Sequence, residues 1–465
     1  MSERLSSLCL IMTMAVMIGY KLYGGPIFLI YIAVITLILF LYLQRHCINR
    51  IGRVLLSTAI VSTVLLNWCP DPALTFNTAL TRANFFAAFL AALAFIRFAA
   101  KHSLMVKRCG KIVISQPPSR RYGIITLSAY TFGNVLNFGV LHLLGQMIEK
   151  GNTLESAGGL AHVQEKRRQR MSLALLRGFA LLPLASPFSI ALTLMLATIP
   201  GLKWQYLLAA GTVTAVILFF LGWGEDYVKN PKQAPTSALY SGPPLTWRPA
   251  YQFLGMILGI FILAVLLEQL TSATLPVAIM ILCPIVSLAW FGWGHYERGL
   301  KANLKDIKRD LPLEINGLHS EISIISSACF FGVVLSDLLP RDSLIAFMQS
   351  LHLSGATLAI SLCVLVTLLS QIGLNPFITA TIFASSFTPT ETYQLSPELL
   401  ALALMSGWCL AMNSSPVSIS AIIISSVNKT PSRAITHQWN GNYSLMALLV
   451  LCVWIGITSQ ALLLK

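Results

Sequence analysis

Two serine–proline motifs are the parts of this chain whose residue types and spacing could bind a small ion. Residues 178–191 read GFALLPLASPFSIA and residues 407–420 read GWCLAMNSSPVSIS, so both strings contain S-P-x-S-I. Pro187 and Pro416 stand 229 positions apart (416 − 187). Each motif lies in a long uncharged stretch, where a proline interrupts the helix because it lacks an N–H group. A helix interrupted inside hydrocarbon persists only where it lines a cavity or packs against protein.

Serine and asparagine cap helix N-termini, and proline suits the first helical position. The chain places such pairs at Ser186-Pro187, Asn375-Pro376 and Ser415-Pro416. Each pair predicts the start of a half-helix inside the membrane. The free N–H groups and the positive dipole end would favour an anion, and unwound carbonyl groups beside them would suit a cation.

Hydroxyl and amide side chains around these pairs, with the prolines beside them, are the candidate substrate or ion ligands. The candidates are Asn134, Asn137, Ser186, Pro187, Ser189, Asn375, Pro376, Thr379, Asn413, Ser414, Ser415 and Ser418. For any one of them, ordinary packing between helices is the alternative interpretation. His142 is the histidine of the apolar run 122–147, and a packing role is the alternative for it as well.

The elements that must position these residues are membrane helices. The chain has 465 residues, 56% of them hydrophobic and 11% charged, whereas a soluble domain carries about 25% charge. The sequence therefore predicts an all-α polytopic membrane protein. Its eleven predicted transmembrane helices are 5–23, 26–43, 54–70, 83–100, 173–200, 204–223, 250–269, 274–295, 319–338, 398–426 and 443–463.

Charge predicts that two further apolar runs are re-entrant hairpins. The run 122–147 lies between the basic stretches 97–121 and 148–177, and both belong inside by the positive-inside rule. Its 26 residues are too few for two spans, which need about 20 each. The run 356–388 is followed by acidic residues and predicts a second hairpin that opens outward.

The result is an inverted-topology repeat with the N-terminus cytoplasmic and the C-terminus outside. Residues 1–25 form an extra helix and 224–249 a linker. Repeat 1 (26–223) contains the inward hairpin 122–147 and the broken helix 173–200. Repeat 2 (250–465) contains the outward hairpin 356–388 and the broken helix 398–426.

Other function classes fit the sequence less well. The net charge of +15 does not indicate a nucleic-acid partner, because the basic residues follow the predicted topology. The nine cysteines show no metal or redox spacing. No acidic or basic residue is expected at mid-membrane, which argues against an enzyme and against a proton relay. A translocase or membrane enzyme acting on a lipid-linked phosphate, with the basic loops 97–121 and 148–177 holding the headgroup, is the alternative function.

The layout resembles the ion transporter superfamily, most closely its divalent anion/sodium symporter branch. The outward tip SQIGLNPFITAT (370–381) is similar to that family's asparagine-containing tip, while the inward tip reads TFGNVLNFG (131–139) where the family has Ser-Asn-Thr. The resemblance implies secondary active transport of a small anionic solute by elevator-type alternating access, and a homodimer in a bacterial inner membrane among membrane lipid. It also implies a sodium ion near Asn375, Thr379 and Asn413, with no other cofactor.

Overall fold

The computed structural model describes residues 2–114, 116–229, 246–295, 299–340, 355–388 and 390–463, and positions 343, 346, 348, 350, 351 and 353. These described residues form helices joined by turns, with no strand among them. The chain is an all-α polytopic membrane protein. The central part of the predicted linker, residues 230–245, lies outside the described residues.

The chain divides into two compact units. Unit 1 comprises Met1–Leu104 and Leu254–Arg341, and unit 2 comprises Met105–Phe253 and Asp342–Lys465. Each unit therefore takes a segment from each of the two predicted repeats. The four predicted elements that carry the candidate ligands, namely the two hairpins and the two broken helices, all belong to unit 2.

Unit 1 is built around one long helix, α4 (Pro72–His102), whose buried positions are mostly alanine and phenylalanine. Small alanine side chains allow the neighbouring helices to approach α4 closely. The other helices of the unit are α1 (Ser2–Tyr23), α2 (Phe28–Leu43), α3 (Arg50–Leu65), α13 (Leu275–Gly294), α14 (Leu300–Asn316) and α15 (His319–Leu338). The boundary between the units cuts α12 (Arg248–Leu270) near its start.

Unit 2 contains shorter helices arranged as arms and half-helices. In its first segment these are α5 (Leu104–Ile114), α6 (Pro118–Leu136), α7 (Gly139–Gly151), α8 (Ala161–Ala180), α9 (Leu182–Ala185), α10 (Ile190–Thr198) and α11 (Trp204–Lys229). In its second segment they are α16 (Gly355–Gln371), α17 (Pro376–Ser386), α18 (Pro397–Ser414), α19 (Ile419–Asn428) and α20 (Gly441–Leu463), with a π-helical turn at Ala434–Trp439 before α20.

Ten helices among the described residues are long and apolar enough to cross a membrane. Each overlaps one of the eleven predicted transmembrane segments, and the eleventh, 26–43, is the 16-residue helix α2. The apolar side chains of Leu445, Leu449 and Val453 on α20 are exposed at a spacing of four. Such a stripe on one helix face is what lipid contact requires.

Among the described residues, the helices α5 and α14 were not predicted. Helix α5 lies in the predicted basic loop 97–121, and α14 lies between the predicted helices 274–295 and 319–338. Both are amphipathic rather than uniformly apolar, so uncharged runs in the sequence do not reveal them.

In α14, Asp310 lies beside Arg309 and His102, and the hydrogen bond from Arg309 lowers the pKa of Asp310 to about 2. This carboxylate therefore stays charged at any physiological pH.

The two predicted hairpins are pairs of contacting helices. Helices α6 and α7 pack on each other and turn at Asn137 and Phe138. Helices α16 and α17 also pack on each other. The first arm α6 is longer than expected, with 19 residues, because it begins at Pro118 rather than near residue 122.

Cysteine labelling tests whether the α6–α7 hairpin returns to the face from which it starts. Lys111 lies in α5, before α6, Lys150 is the next-to-last residue of α7, and both are exposed. In a Cys47→Ser background, Lys111→Cys and Lys150→Cys are expected to react with an impermeant maleimide from the same face. Tyr23→Cys, at the exposed last residue of α1, is expected to react from the opposite face. Reaction of positions 111 and 150 from opposite faces would contradict the hairpin.

Candidate functional site

The first motif forms a break between two half-helices. Ser186 follows helix α9 with an extended backbone (φ −92°, ψ 124°). Helix α10 begins at Ile190, and the Ser189 side chain caps it by accepting a hydrogen bond from the Leu192 N–H group at 3.0 Å. The prediction that Ser186-Pro187 starts the second half-helix is therefore wrong by three residues. A proline forces the residue before it into an extended conformation, which ends the first half-helix at this point, and the second half-helix begins only after Ser189.

The second motif has the same geometry. Ser415 follows α18 with an extended backbone (φ −80°, ψ 125°). Ser418 caps α19 by accepting a hydrogen bond from the Ala421 N–H group at 3.3 Å. Ser415-Pro416 therefore also ends a half-helix rather than starting one. In both breaks the proline lies between the half-helices, and the actual cap is the second serine of S-P-x-S.

The first serine of each motif is tied to a hairpin. The Ser186 hydroxyl donates to Asn134 Oδ1 of α6 at 2.6 Å. The Ser415 hydroxyl donates to the carbonyl oxygen of Ser370 in α16, also at 2.6 Å. Both serines are buried. The structure thus joins each break to the first arm of the hairpin that precedes it.

The glycines shared by the two motifs allow this close packing. A Cβ atom at Gly178 would lie 2.1 Å from the carbonyl oxygen of Thr126 in α6. At Gly407 it would lie 2.7 Å from the carbonyl oxygen of Cys363 in α16. Real Cβ atoms do not approach a backbone oxygen so closely, so only glycine fits at either position. The recurrence of glycine in the two strings reflects this helix–helix contact.

The second half-helices pack on the opposite hairpins. Helix α10 contacts α17, and α19 contacts α7. Each hairpin of unit 2 is therefore contacted by helices of both broken segments. This exchange brings the two motifs and the two hairpins into one packed group.

The hairpin tips show one confirmed cap and one unusual turn. Asn375 caps α17 by accepting from the Phe377 N–H group at 2.9 Å, with Pro376 at the first helical position, as predicted. The buried Thr379 hydroxyl is used locally, donating to the Pro376 carbonyl at 3.1 Å. In the other tip Asn137 takes a positive φ of 49°, a value that asparagine tolerates better than most residues.

Asn413 has a buried acceptor atom that finds no partner among the described residues. Its side chain is fully buried, and Nδ2 donates to the Cys409 carbonyl at 3.2 Å. In the part of the chain that the structure describes, its Oδ1 accepts no hydrogen bond. Burying an unpaired oxygen is unfavourable by about 1–3 kcal/mol, so a group that binds this oxygen would remove the penalty. The hydroxyl of the neighbouring Ser414 already has partners within the protein, because it donates to the Leu410 carbonyl and accepts from Gln371 Nε2.

The same unit contains a buried charge cluster that was not predicted from the sequence. Arg177, which falls both in the basic stretch 148–177 and at the start of the predicted helix 173–200, lies within α8 and is 3% exposed. Its Nη2 contacts Glu225 Oε2 of α11 at 2.6 Å, and its guanidinium stacks over the Tyr443 ring at 4.0 Å. Its Nε donates to Asn440 Oδ1 at 2.8 Å, and its Nη1 to the Tyr122 hydroxyl at 3.1 Å.

A cavity of about 330 Å³ adjoins this cluster. Arg177 and Glu225 line it together with a second ion pair of the same helices, Arg170–Asp226, at 2.6 Å. Arg170 lies two helical turns before Arg177, so both arginines project from one face of α8 toward α11. The sequence did contain a signal for this cluster: two arginines seven residues apart, Arg170 and Arg177, and a neighbouring Glu225-Asp226 pair in a later helix. By contrast, His142 lies exposed on α7.

Comparison with known proteins identifies the fold. No protein-family model matches the chain, and no curated protein matches it in sequence. Among solved structures, the chain is similar to the YdaH transporter of Alcanivorax borkumensis, whose crystal structure is described as revealing an unusual topology. The match has a TM-score of 0.52 and 14% identity, and covers 80% of this chain and 85% of that chain. At this identity the likeness is one of fold, and this chain has the fold of a membrane transporter.

Proposed function

We propose that this protein is a secondary active transporter of a small anionic solute, not an enzyme, and that sodium drives it through an elevator-type cycle. The chain is an integral membrane protein with a transporter fold. The finer assignment rests on the resemblance to the divalent anion/sodium symporters and on the chemistry of the two breaks.

The paired helix breaks are the observation that carries the proposal. Two breaks at the same offset in the sequence are capped by Ser189 and Ser418 and tied to the hairpins by Ser186 and Ser415. The first N–H groups of a helix have no partner within the helix, so the N-termini of the second half-helices favour an anionic group. Interrupted helices at matching positions in two repeats are typical of the substrate site of a secondary transporter.

The buried oxygen of Asn413 supports sodium as the coupling ion. Sodium is a hard cation that prefers carbonyl, amide and hydroxyl oxygens. Asn413 Oδ1 is such an oxygen, buried without a partner among the described residues at the end of α18. Asn375 and Thr379, on the hairpin whose α17 packs on α18, supply the other proposed oxygen ligands.

The division into units supports the elevator mechanism. An elevator transporter carries its substrate site in one compact domain that moves as a body. Here both hairpins and both broken helices fall in unit 2, although they come from distant parts of the chain. We also propose that the chain forms an inverted repeat, assembles as a homodimer, and lies in a bacterial inner membrane with its N-terminus in the cytoplasm.

Uptake into proteoliposomes tests the proposal. The purified protein is expected to accumulate at least one member of a radiolabelled panel of small carboxylates, phosphate and sulfate when sodium is imposed outside, and not when choline replaces it. Uptake that follows a pH gradient, ignores sodium and is lost in His142→Ala would show proton coupling instead. Binding of polyprenyl phosphate without uptake of any soluble anion would support the lipid-linked alternative.

Asn413→Ala is expected to raise the sodium concentration that gives half-maximal uptake by roughly 5–150-fold, because an oxygen bound to an ion contributes about 1–3 kcal/mol. Asn84→Ala is the matched control. Asn84, in α4 of unit 1, is also buried, donates Nδ2 to the carbonyl four residues earlier at 2.8 Å, and has an Oδ1 without a partner among the described residues. Equal effects of the two variants on sodium dependence would contradict a sodium ligand at Asn413.

A further inference from the structure

The end of helix α18 needs hydrogen-bond donors from outside the helix. The last carbonyl groups of any helix lack a partner in the next turn. The Met412 carbonyl accepts from the Ser420 hydroxyl at 2.9 Å, a donor within the same broken helix. The Asn413 carbonyl instead accepts from Asn440 Nδ2 at 2.9 Å, and Asn440 lies beyond the break, just before α20. Asn440 therefore fixes the last turn of α18 from a separate element.

Arg177 determines which way the Asn440 amide points. The guanidinium has only donors, so its Nε can pair only with the amide oxygen, at 2.8 Å. With Oδ1 held there, Nδ2 must face the Asn413 carbonyl. If the amide were turned over, two oxygens would face each other at the helix end and Arg177 Nε would face an N–H group.

Glu225 and the aromatic ring of Tyr443 hold Arg177 in turn. The Glu225 carboxylate lies 2.6 Å from Nη2, and the Tyr443 ring lies 4.0 Å from the guanidinium carbon. All of these groups are buried. The result is a continuous path of hydrogen bonds from the ion pair to the backbone of Asn413, the residue whose Oδ1 has no partner in the described part of the chain.

The equivalent position in the first repeat carries no side chain. Shifting Asn440 and Asn413 by the repeat offset of 229 gives Gly211 and Leu184. These two residues are also in contact, since a Cβ atom at Gly211 would lie 2.0 Å from the Leu184 carbonyl oxygen. The two equivalent positions are therefore in contact in both repeats. Only in the second repeat does this contact involve a side-chain amide, that of Asn440, which Arg177 orients.

We propose that Arg177 and Asn440 are positioning residues for an ion site at Asn413, acting through the Asn413 backbone without touching the ion. This inference rests on the proposed function. It predicts that disturbing Asn440 weakens ion binding although no ligand is removed.

Two variants of the purified protein test this inference. Asn440→Asp keeps the size and the contact with Arg177 but has no N–H group for the Asn413 carbonyl. Arg177→Lys keeps the charge beside Glu225 but lacks the planar fork that orients the amide. The control is Arg170→Lys, which alters the Arg170–Asp226 pair of the same two helices and cavity. The readouts are hydrogen exchange over residues 412–420 and the sodium concentration that half-saturates thermal stabilisation, measured against choline.

In Asn440→Asp and Arg177→Lys, we expect faster exchange over 412–420 and an increase of about tenfold in half-saturating sodium, equivalent to about 1.4 kcal/mol, with the maximal stabilisation retained. Arg170→Lys is expected to change neither. Wild-type exchange and sodium affinity in both test variants would overturn the inference. If sodium does not stabilise the wild type, sodium coupling fails, and unchanged exchange in Asn440→Asp alone then overturns the positioning role.

Discussion

Gly211→Ala is expected to destabilise unit 2 strongly, although it adds a single methyl group. The new Cβ would lie 2.0 Å from the Leu184 carbonyl oxygen and 2.9 Å from its carbonyl carbon. Both are backbone atoms next to the first break, so α11 or α9 must move as a whole. Overpacking a well-packed site is unfavourable by about 1–3 kcal/mol, and a backbone clash is expected to reach the upper end or beyond. A lower melting temperature and loss of the monodisperse peak in size-exclusion chromatography would show it.

Gly224→Ala is the control for this prediction, because Gly224 lies in the same helix and a Cβ atom added there would meet nothing within 4 Å. Alanine is favoured over glycine inside a helix by about 1 kcal/mol, so this variant should be as stable as the wild type or more so. A melting temperature of Gly211→Ala equal to that of Gly224→Ala would contradict the close contact between α11 and Leu184.

Glu225→Leu is expected to lower the free energy of unfolding by about 3–5 kcal/mol, the usual penalty when one partner of a buried ion pair is removed. Arg177 would remain 3% exposed without the carboxylate at 2.6 Å. Its hydrogen bonds to Asn440 and Tyr122 satisfy donors but do not supply a negative charge. Thermal unfolding in detergent measures the effect.

The double variant Glu225→Leu/Arg177→Met separates charge from packing. Replacing both members of a buried pair by apolar residues of similar size is often neutral, so much of the lost stability should return. Asp226→Asn should have a smaller effect than Glu225→Leu, because its partner Arg170 is 21% exposed and can reach water. A double variant as unstable as Glu225→Leu alone would show that the loss does not come from an unpaired buried charge.

The breaks and the helix pairs that form the two hairpins could be predicted from sequence because their signals are local. A proline in an uncharged run, a repeated S-P-x-S-I string and an apolar run between two basic stretches each need only a short window. The cap positions were misplaced because Ser186 and Ser189 are both good caps by residue type, and residue type alone does not show that α10 begins after the second of them. Asn375 has no competing cap next to its proline, and there the prediction is confirmed.

The buried cluster could not be predicted in the same way. Arg177 pairs with Glu225, 48 residues away, and with Asn440, 263 residues away. In the sequence Arg177 continues a run of basic residues and also begins the predicted helix 173–200, and neither pattern indicates a carboxylate beside it. Only the packing of α8 against α11 and the start of α20 shows that it is enclosed. Helices α5 and α14 were missed because their apolar residues cover one face only.

The second half-helix of each broken segment packs on the hairpin of the other repeat, and this has a consequence for the biosynthesis of the protein. Helix α10 has nine residues, too few to cross a membrane alone, and the hairpin arm α17 that it contacts follows roughly 180 residues later. At about 5–20 residues per second, the ribosome needs roughly 10–35 s to reach it. Helix α19, in contrast, contacts α7 and α8, which precede it in the chain and have already been synthesised when it emerges. The two broken helices, alike in sequence pattern, are therefore completed at different stages of translation.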